Sequence, residues 1–369
     1  MTISTTSKNK FPEARFGPSY LSTTMEKIFK WSASGIHCER LEGDASERSY
    51  FRVSQKNSGG AHGMEVQKSL QSLIIMQLEK PVIEGETDFT RVLKFLRALD
   101  LPAPELFYYD IPKGLLFLED CGTMTLEDQL NASPQSKVQL YRQAVELLVC
   151  MQSRATHSID STCPAYHLKF DVKKLMWEFT VMLDHYVGEF CNSPLESLAR
   201  KELSEAFIPL CESLAAEKLC FTHRDYHSRN LMFDRGRLVL IDFQDARMGP
   251  CQYDLVSLLK DSYVNIEDAL VEELIDYYIL LKEKEEGKKV DRERFGDIFD
   301  KMSIQRNLKA VGTFAYQSVK RNNNRYEDFI APALSYVRKA LRRRFEDTSL
   351  KKVLSKHIPG LNPKEEVDL

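Results

Sequence analysis

The sequence predicts an α+β protein in two parts, a small sheet-rich N-terminal part and a larger, mostly helical C-terminal part carrying one β-hairpin. Three observations support this prediction. Short strand-like runs dominate residues 35–119, helical periodicity dominates the chain beyond residue 122, and a hairpin signature interrupts the helical part at residues 231–241. We therefore expect a leader with a first helix at 1–34, a sheet-rich unit at 35–119 and a helical unit at 120–369.

Helical and strand-like runs alternate in the N-terminal part. Apolar residues repeat near the helical period over residues 22–34 and 88–99, which predicts a helix in each segment. The other apolar runs are short and bounded by turn-forming or polar residues, which is typical of β-strands. These predicted strands lie at residues 49–53, 73–78, 106–109 and 115–118.

The C-terminal part is predicted to be helical apart from its hairpin. Residues 231–233 and 238–241 are short apolar runs on either side of Asp234-Arg235-Gly236-Arg237, a turn sequence that favours a β-hairpin. Elsewhere the apolar residues form stripes along amphipathic helices. These predicted helices cover residues 136–153, 172–190, 199–218, 266–284, 297–320 and 326–343.

Composition narrows the class of protein. The 369 residues include 51 Lys and Arg against 54 Asp and Glu, a formal net charge of −3. The resulting isoelectric point near 6.3 argues against nucleic acid as a partner, because phosphate neutralisation needs a surplus of cations. The sequence leaves the oligomeric state open, and a monomer is compatible with it.

We expect a cytoplasmic protein that does not enter a membrane. No run approaches the roughly 18 consecutive apolar residues of a membrane-spanning helix, and residues 1–16 lack the apolar core of a signal peptide. The eight cysteines are dispersed without a C-x-x-C pair, which disfavours zinc ribbons and redox motifs. They are expected to be reduced thiols.

Residues 221–245, FTHRDYHSRNLMFDRGRLVLIDFQD, indicate a specific chemistry. Asp225 is followed five residues later by Asn230, and Asp242 comes twelve residues after Asn230, beyond the hairpin. Phosphoryl transfer needs metal ions positioned on the phosphates and a group that orients the attacking hydroxyl. Asp225 would accept the proton of that hydroxyl, and Asn230 and Asp242 would bind Mg²⁺ through oxygen. Asp and Asn also form caps and turns, but their ordered spacing around a hairpin favours an active site.

The same stretch resembles the catalytic loop of kinases. HRD at 223–225 with Asn230 matches the pattern H-R-D-x-x-x-x-N, and DFQ at 242–244 lies where the metal-binding D-F-G is found. The pattern departs from that of protein kinases in three ways. Gln244 replaces the glycine, Tyr226-His227 replaces the usual Leu-Lys, and no A-P-E sequence follows.

This compact layout resembles the aminoglycoside phosphotransferase-like family of small-molecule kinases. HRDYHSRNLM, IDFQDARMGPCQYDLVSLLKDSY, QRNLKAVGTFAY, LEGDASERSYFRV and LFLEDCG are similar to segments of bacterial N-acetylmuramate/N-acetylglucosamine anomeric kinases, over residues 41–341. The resemblance implies a bilobal protein-kinase-like fold, ATP and Mg²⁺ as cofactors, and a small-molecule sugar as substrate. It further implies phosphorylation of the anomeric hydroxyl in peptidoglycan recycling in a bacterial cytoplasm.

The resemblance also implies a nucleotide site in the sheet-rich part. The candidate phosphate-covering loop consists of Gly43, Asp44, Ala45 and Ser46. Its backbone N–H groups and the Ser46 hydroxyl would cradle phosphate oxygens, and an ordinary turn is the alternative. The segment from Glu119 to Cys121 resembles the hinge that pairs with adenine, and it fits a simple linker equally well.

The lysine that usually binds phosphate in such kinases is replaced. Met76 occupies its position in the strand at 73–78, and no lysine substitutes within that strand. Arg48, Arg52 and Lys80 are alternative cations for neutralising phosphate charge, and the sequence does not choose among them.

Four further residues are candidate substrate contacts: Asp245, His227, Arg229 and Glu178. Asp245 is equally suited to supporting its neighbours, and His227 and Arg229 to a solvated loop face. Glu178 follows Trp177 on a predicted helix, and sugars are bound by carboxylates and aromatic faces. His223 and Asp254 are expected to brace the catalytic loop rather than to touch substrate.

Two other functions remain open at this stage. One is a kinase for an aminoglycoside, a choline-like amine or another small hydroxyl compound. The abundance of Lys and Arg over residues 251–369 favours a neutral or anionic sugar over a cationic aminoglycoside. The other is a non-catalytic pseudokinase scaffold, which the replacement at Met76 favours and the presence of Asp225, Asn230 and Asp242 together disfavours.

Overall fold

The computed structural model describes residues 14–32, 35–41, 48–55, 70–82 and 85–362. They form two compact units. The sheet unit contains the chain up to residue 87 together with residues 103–122, and the helical unit contains residues 88–102 and the chain from residue 123 on.

The described residues of the sheet unit form one helix and a five-stranded antiparallel sheet with strand order β1-β2-β3-β5-β4. Its elements are α1 (Pro18–Phe29), β1 (Ile36–Leu41), β2 (Ser49–Gln55), β3 (Ser72–Gln77), β4 (Leu106–Asp110) and β5 (Leu115–Glu119). Because side chains alternate between the faces of a strand, every second residue of the central strands enters the same core. That core joins Phe51, Ile75 and Phe117 of the sheet to Met25 and Trp31.

The helical unit contains ten α-helices and two short two-stranded ribbons among the described residues. The helices are α2 (Asp88–Ala98), α3 (Leu126–Ala132), α4 (Lys137–Ser158), α5 (Val172–Met182), α6 (Ser197–Ala215), α7 (Gln252–Leu259), α8 (Asp268–Glu286), α9 (Arg292–Arg321), α10 (Ile330–Arg344) and α11 (Ser349–His357). The strands are β6 (Leu219–Thr222), β7 (Leu231–Asp234), β8 (Arg237–Leu240) and β9 (Arg247–Pro250). Strand β6 pairs with β9, and β7 pairs with β8.

Helix α9 is the central helix of this unit, and it packs against α5, α7 and α10. Its close approach to the end of α5 depends on Gly312, where an added Cβ would lie 2.6 Å from the Cα of Met182. A side chain at position 312 would therefore push the two helices apart. The backbone of α9 is thereby held at a defined distance from α5.

The two units divide the chain differently from the expected boundaries. The helix at 88–99 was predicted within the N-terminal unit, but α2 belongs to the helical unit, where Phe89 stacks on Phe243 with ring centroids 5.1 Å apart. The first helix, predicted together with the leader, begins at Pro18 and contributes Leu21 and Met25 to the core of the sheet unit. Large apolar side chains explain both differences, since each helix joins the core that buries them.

Among the elements that the sequence patterns missed, β6 and β9 are short and α7 is buried on every side. Strands β6 and β9 have four residues each and are 25 residues apart at Thr222 and Arg247, which are paired. All eight residues of α7 are buried, so its sequence has no polar face to reveal a helical period. The predicted helix at 172–190 is α5 followed by a π-helical segment, Leu183–Phe190.

Among the described residues, no helix combines the length and apolar character needed to cross a membrane.

Candidate active site

The loop at 223–230 connects β6 to the β7–β8 hairpin, and a buried carboxylate fixes its beginning. Asp254 of α7 is fully buried and accepts hydrogen bonds from the backbone N–H groups of His223, at 2.7 Å, and Arg224, at 2.9 Å. Arg224 has a φ of 80°, a left-handed conformation that residues other than glycine rarely adopt. Burial raises the pKa of Asp254 to about 7, and the two backbone donors oppose this rise. The bracing role predicted for Asp254 is thus confirmed.

His223 is enclosed within the helical unit. Its side chain is fully buried, and its ring packs edge-on against Tyr226 with centroids 5.8 Å apart. Burial lowers the pKa of His223, while the carboxylates of Asp242 and Asp225 oppose the shift. This enclosed position supports the bracing interpretation of His223.

Asp225 presents a partly exposed carboxylate between two cations. Its side chain is 21% exposed, and its Oδ1 accepts a hydrogen bond from the Nζ of Lys309 at 3.0 Å. Its Oδ2 lies 3.9 Å from Nη1 of Arg224. Burial raises the pKa of Asp225, but the charges of Lys309 and Arg224 outweigh burial and hold this pKa well below its usual range. Asp225 is therefore an ionised hydrogen-bond acceptor at neutral pH.

The amide of Asn230 is oriented by the loop itself. Its Nδ2 donates to the backbone carbonyl of Asp225 at 3.0 Å and to Nε2 of His227 at 3.3 Å. Burial and the guanidinium of Arg306 lower the pKa of His227 to about 3, so its ring is neutral and Nε2 can accept this bond. Because both contacts use the amide nitrogen, the Oδ1 of Asn230 remains available as an oxygen ligand.

The hairpin returns Asp242 to the side of Asn230. Strands β7 and β8 pair from Leu231 opposite Leu240, and the N–H of Ile241 donates to the carbonyl of Asn230 at 3.1 Å. The Oδ2 of Asp242 lies 3.5 Å from Nδ2 of Asn230, although twelve residues separate them. Asp242 has a φ of 62°, so its backbone turns sharply just after the hairpin.

The donor set at Asn230 and Asp242 fits a magnesium ion. One amide oxygen and one carboxylate are hard ligands, and Mg²⁺ is commonly held by one or two protein oxygens, with water and phosphate completing its octahedron. The described residues contain no cluster of three or more His, Cys, Asp or Glu side chains that would form an all-protein metal cage. Gln244 donates from Nε2 to Oδ1 of Asp242 at 2.8 Å, which orients the carboxylate. From the described residues, Oδ2 accepts only the long, 3.5 Å bond from Nδ2 of Asn230, which an ion bound at Oδ2 would replace.

Arg229 lies in an ion pair within the helical unit. Its Nε and Nη2 donate to the two carboxylate oxygens of Glu127 at 2.6 and 3.2 Å, and its guanidinium lies 3.8 Å from the ring centre of Tyr263. Both partners are protein groups, and the Arg229 side chain is 27% exposed. This arrangement favours a structural role for Arg229 over the substrate contact considered from the sequence.

Asp245 and Glu178 are both electrostatic neighbours of Arg224. Asp245 accepts a hydrogen bond from Nη1 of Arg224 at 2.8 Å and is itself 55% exposed. Glu178 is 2% exposed, accepts a hydrogen bond from Gln305 at 2.9 Å, and lies 3.4 Å from the ammonium of Lys174. Both carboxylates raise the pKa of Arg224, in opposition to burial. Asp245 is thus open to a ligand, whereas Glu178 is committed to protein partners.

The structure describes only some of the residues predicted to bind nucleotide. The candidate phosphate loop of Gly43, Asp44, Ala45 and Ser46 lies outside the described residues. Glu119 ends β5, where its N–H donates to the carbonyl of Glu105 at 2.8 Å, and Cys121 is buried two residues later.

The positions of Met76 and Arg52 help to decide which cation could replace the phosphate-binding lysine. Met76 is fully buried within the sheet, opposite Tyr50 and Leu116. Arg52 makes a two-point ion pair with Asp120, at 2.8 and 3.1 Å. This pair engages the Arg52 guanidinium with a carboxylate of the same unit, which disfavours Arg52 as the cation for phosphate.

Lys309 is the site residue that the sequence reasoning missed. It lies on α9 within QRNLKAVGTFAY, one of the segments that carry the family resemblance. A local signal was available, because Met302, Gln305, Arg306 and Lys309 lie at positions i, i+3, i+4 and i+7 and so share a helix face. Polar residues on a face that also carries a buried methionine indicate a buried polar site.

Comparison with known proteins assigns the chain to a family. The model of the phosphotransferase enzyme family, APH, matches residues 37–290. The N-acetylmuramate/N-acetylglucosamine kinase of Pseudomonas putida is 28% identical over 318 residues, which cover 86% of this chain and 87% of that protein. The kinase of the same name from Neisseria meningitidis is 27% identical over 307 residues, covering 81% and 84%.

Solved structures show the same fold at low sequence identity. Choline kinase from Cryptosporidium parvum has a TM-score of 0.60 at 12% identity, over 94% of this chain and 98% of that chain. The aminoglycoside phosphotransferase APH(4)-Ia, in a ternary complex with AMP-PNP and hygromycin B, has a TM-score of 0.53 at 14% identity, over 88% and 98%. The predicted α+β, protein-kinase-like fold is confirmed. With more than half of its length matched by the family model, this chain belongs to the phosphotransferase enzyme family.

Proposed function

We propose that this protein is an ATP-dependent kinase that phosphorylates the anomeric hydroxyl of N-acetylmuramate or N-acetylglucosamine. The acceptor is inferred from the relatives that carry this name and align over more than four-fifths of the chain. The observation that carries the chemistry is the ionised, partly exposed carboxylate of Asp225 beside the Asn230–Asp242 pair. A carboxylate and two adjacent oxygen ligands are the parts that phosphoryl transfer requires.

Asp225 is proposed as the group that orients and deprotonates the acceptor. The sugar hydroxyl donates its hydrogen bond to the carboxylate, and its oxygen forms a bond to the γ-phosphorus of ATP. The bond between that phosphorus and the bridging oxygen breaks, and its electron pair stays on ADP. The hydroxyl proton passes to Asp225, so the products are sugar 1-phosphate and ADP. An anomeric hydroxyl is more acidic than an ordinary alcohol, which places a modest demand on the base.

Asn230 and Asp242 are proposed to hold Mg²⁺, with Oδ1 of Asn230 and Oδ2 of Asp242 as the ligands. The ion supplies positive charge to the phosphate oxygens when it is bound. Around it, Gln244 fixes the Asp242 carboxylate and the loop carbonyl of Asp225 fixes the Asn230 amide. These contacts preorganise the two oxygen ligands before any nucleotide arrives.

The remaining candidate site residues are proposed to bind the nucleotide or the sugar. The loop of Gly43, Asp44, Ala45 and Ser46 would cover the phosphates, and the backbone from Glu119 to Cys121 would bind adenine. Asp245 is the better candidate for a sugar contact, because its carboxylate is exposed, whereas Glu178 would have to exchange a protein partner for the sugar.

We place the reaction in the cytoplasm, where ATP is available. No disulfide bond joins any of the eight cysteines, all of which the structure describes, and this is the expected state in a reducing compartment. N-Acetylmuramate is a cell-wall sugar, so phosphorylation of its anomeric hydroxyl fits the recycling of peptidoglycan.

The test is phosphorus NMR of the purified protein with ATP, Mg²⁺ and one acceptor at a time. The acceptors are N-acetylmuramate, N-acetylglucosamine, simple hexoses, choline and an aminoglycoside, and Asp225→Asn is the control. A sugar 1-phosphate resonance with the amino sugars, absent from the control, is the expected result. Phosphorylation of choline or the aminoglycoside alone would replace the proposed acceptor and keep the reaction class.

A non-catalytic scaffold is the second candidate, and the burial of Met76 at the position of the phosphate-binding lysine favours it. A scaffold that does not bind nucleotide would show no thermal shift with ATP and Mg²⁺. The kinase proposal predicts a shift, because ligand binding to the folded state raises the melting temperature. The absence of both a shift and phosphate transfer would support the scaffold.

A further inference from the structure

Lys309 makes a direct contact with the proposed catalytic carboxylate from a distant helix. Its Nζ lies 3.0 Å from Oδ1 of Asp225, and the two residues are 84 positions apart in the chain. The Lys309 side chain is only 14% exposed, so its charge is held largely within the helical unit. A charge-assisted bond in such a setting is stronger and more directional than an exposed ion pair.

The carboxylate of Asp225 is therefore asymmetric. Oδ1 is engaged by Lys309, whereas Oδ2 has the Nη1 of Arg224 at 3.9 Å, beyond hydrogen-bond distance. Arg224 uses that same Nη1 to bond Asp245 at 2.8 Å. Among the described residues, Oδ2 is thus the oxygen of Asp225 without a hydrogen-bond donor, and it is the one able to accept a substrate hydroxyl.

We propose that Lys309 is a positioning residue for phosphate transfer, which holds Oδ1 of Asp225 so that Oδ2 faces the acceptor hydroxyl. This inference rests on the proposed function of Asp225. Lys309 acts through the carboxylate and fixes its rotation about the side-chain bonds. A carboxylate free to rotate would meet the hydroxyl in the right geometry for only part of the time, and lost alignment slows a reaction by about 100-fold.

The loop itself supplies no equivalent cation. The resemblance to protein kinases places a lysine two residues after the catalytic aspartate, but here that residue is His227. The Nε2 of His227 accepts a hydrogen bond from Asn230 at 3.3 Å, so this nitrogen is directed to Asn230. Among the described residues, Lys309 is the cation within hydrogen-bond distance of the Asp225 carboxylate.

Helix α9 is well suited to hold Lys309 in place. Gly312 allows its backbone to approach Met182 closely, and Arg306 anchors the preceding turn through a 2.9 Å bond from Nε to Oγ of Ser257. Ser257 belongs to α7, which also carries the Asp254 that braces the loop. Both ends of the Lys309–Asp225 bond are therefore tied to α7.

The first test compares Lys309→Met with Lys301→Met in the NMR assay and in a coupled assay for ADP. Lys301 is a matched control because it lies on α9, is 21% exposed, and pairs with Asp297 at 2.8 Å. We expect Lys309→Met to lower kcat by about 100-fold while KM for sugar and ATP changes less than threefold. Lys301→Met should keep wild-type kcat. A kcat for Lys309→Met within threefold of wild type would overturn the proposal.

The second test separates positioning from folding. Lys309→Ala leaves room for a small amine. Added ethylammonium should therefore raise the kcat of Lys309→Ala at least tenfold and leave the kcat of Lys301→Ala unchanged. Lys309→Arg should retain more activity than Lys309→Met, because it restores a cation. Failure of ethylammonium and of Lys309→Arg to raise kcat, in variants with wild-type melting temperatures, would overturn the positioning role.

The two proposals fail in different ways. If wild type and Lys301→Met phosphorylate an acceptor and Lys309→Met does so equally well, the function stands and the role of Lys309 falls. If wild type transfers phosphate to none of the acceptors, the proposed function falls and takes the role of Lys309 with it. A rise in KM for the sugar with unchanged kcat would make Lys309 a substrate ligand and contradict the positioning role.

Discussion

The ammonium of Lys309 and the carboxylate of Asp225 are 3.0 Å apart, although they lie on α9 and on the loop after β6. A similar long-range contact joins Asp254 to the backbone of His223 and Arg224. The loop that carries the kinase-like motif therefore depends on two later helices for its conformation and charge. This dependence makes the site testable at positions outside the motif.

Replacing Asp225 is expected to abolish most turnover. Asp225→Asn keeps the shape of the side chain but removes the proton acceptor, so kcat should fall by about 10²- to 10⁴-fold. Binding of ATP, followed by thermal shift, should persist because the Asn230–Asp242 pair is intact. Asp234→Asn in the hairpin turn is the control, and wild-type turnover in Asp225→Asn would remove this residue from the mechanism.

Replacing Asp242 is expected to weaken the dependence of nucleotide binding on magnesium. Asp242→Asn exchanges a charged oxygen ligand for a neutral one, which Mg²⁺ binds less tightly. The Mg²⁺ concentration that gives half of the maximal thermal shift with ATP should rise at least tenfold. Asp245→Asn, three residues away, should leave that concentration unchanged. An unaltered magnesium titration in Asp242→Asn would refute the assignment of this ligand.

The buried carboxyl of Asp254 predicts a pH dependence of stability. Its folded pKa, about 7, lies above the value of about 3.9 in an unfolded chain. The folded state therefore binds this proton more tightly between those values, and the group lowers the free energy of unfolding as pH rises through that window. Between pH 5 and pH 7, urea unfolding should show wild type losing about 2 kcal/mol relative to Asp254→Asn. The prediction would be contradicted if the free energies of unfolding of wild type and Asp254→Asn changed with pH in parallel.

The ion pair between Arg229 and Glu127 is expected to support stability rather than substrate binding. Arg229→Lys loses the two-point bond and the ring contact, so the free energy of unfolding should fall by about 1–2 kcal/mol. KM for the sugar should stay within twofold of wild type, and Glu127→Gln should destabilise by a similar amount. A tenfold rise in KM at unchanged stability would instead make Arg229 a substrate contact.

Local sequence patterns predicted the elements whose apolar runs and turn residues lie close together in the chain. The hairpin at residues 231–241 was predicted because its turn sequence and its apolar runs are adjacent in the chain. Helix α7 was missed because it is buried on all sides. Helix α2 was predicted correctly but assigned to the wrong unit, since the partner of Phe89, Phe243, is more than 150 residues away.

The sequence by itself determined the α+β class, the hairpin and the order of Asp225, Asn230 and Asp242, because each depends on residues close together in the chain. Only the tertiary structure decided that Lys309 holds Asp225 and that Glu127 engages Arg229. These contacts join residues 84 and 102 positions apart. Their physical origin is the burial of charge, which is stable only where folding brings an opposite charge or a backbone donor within reach.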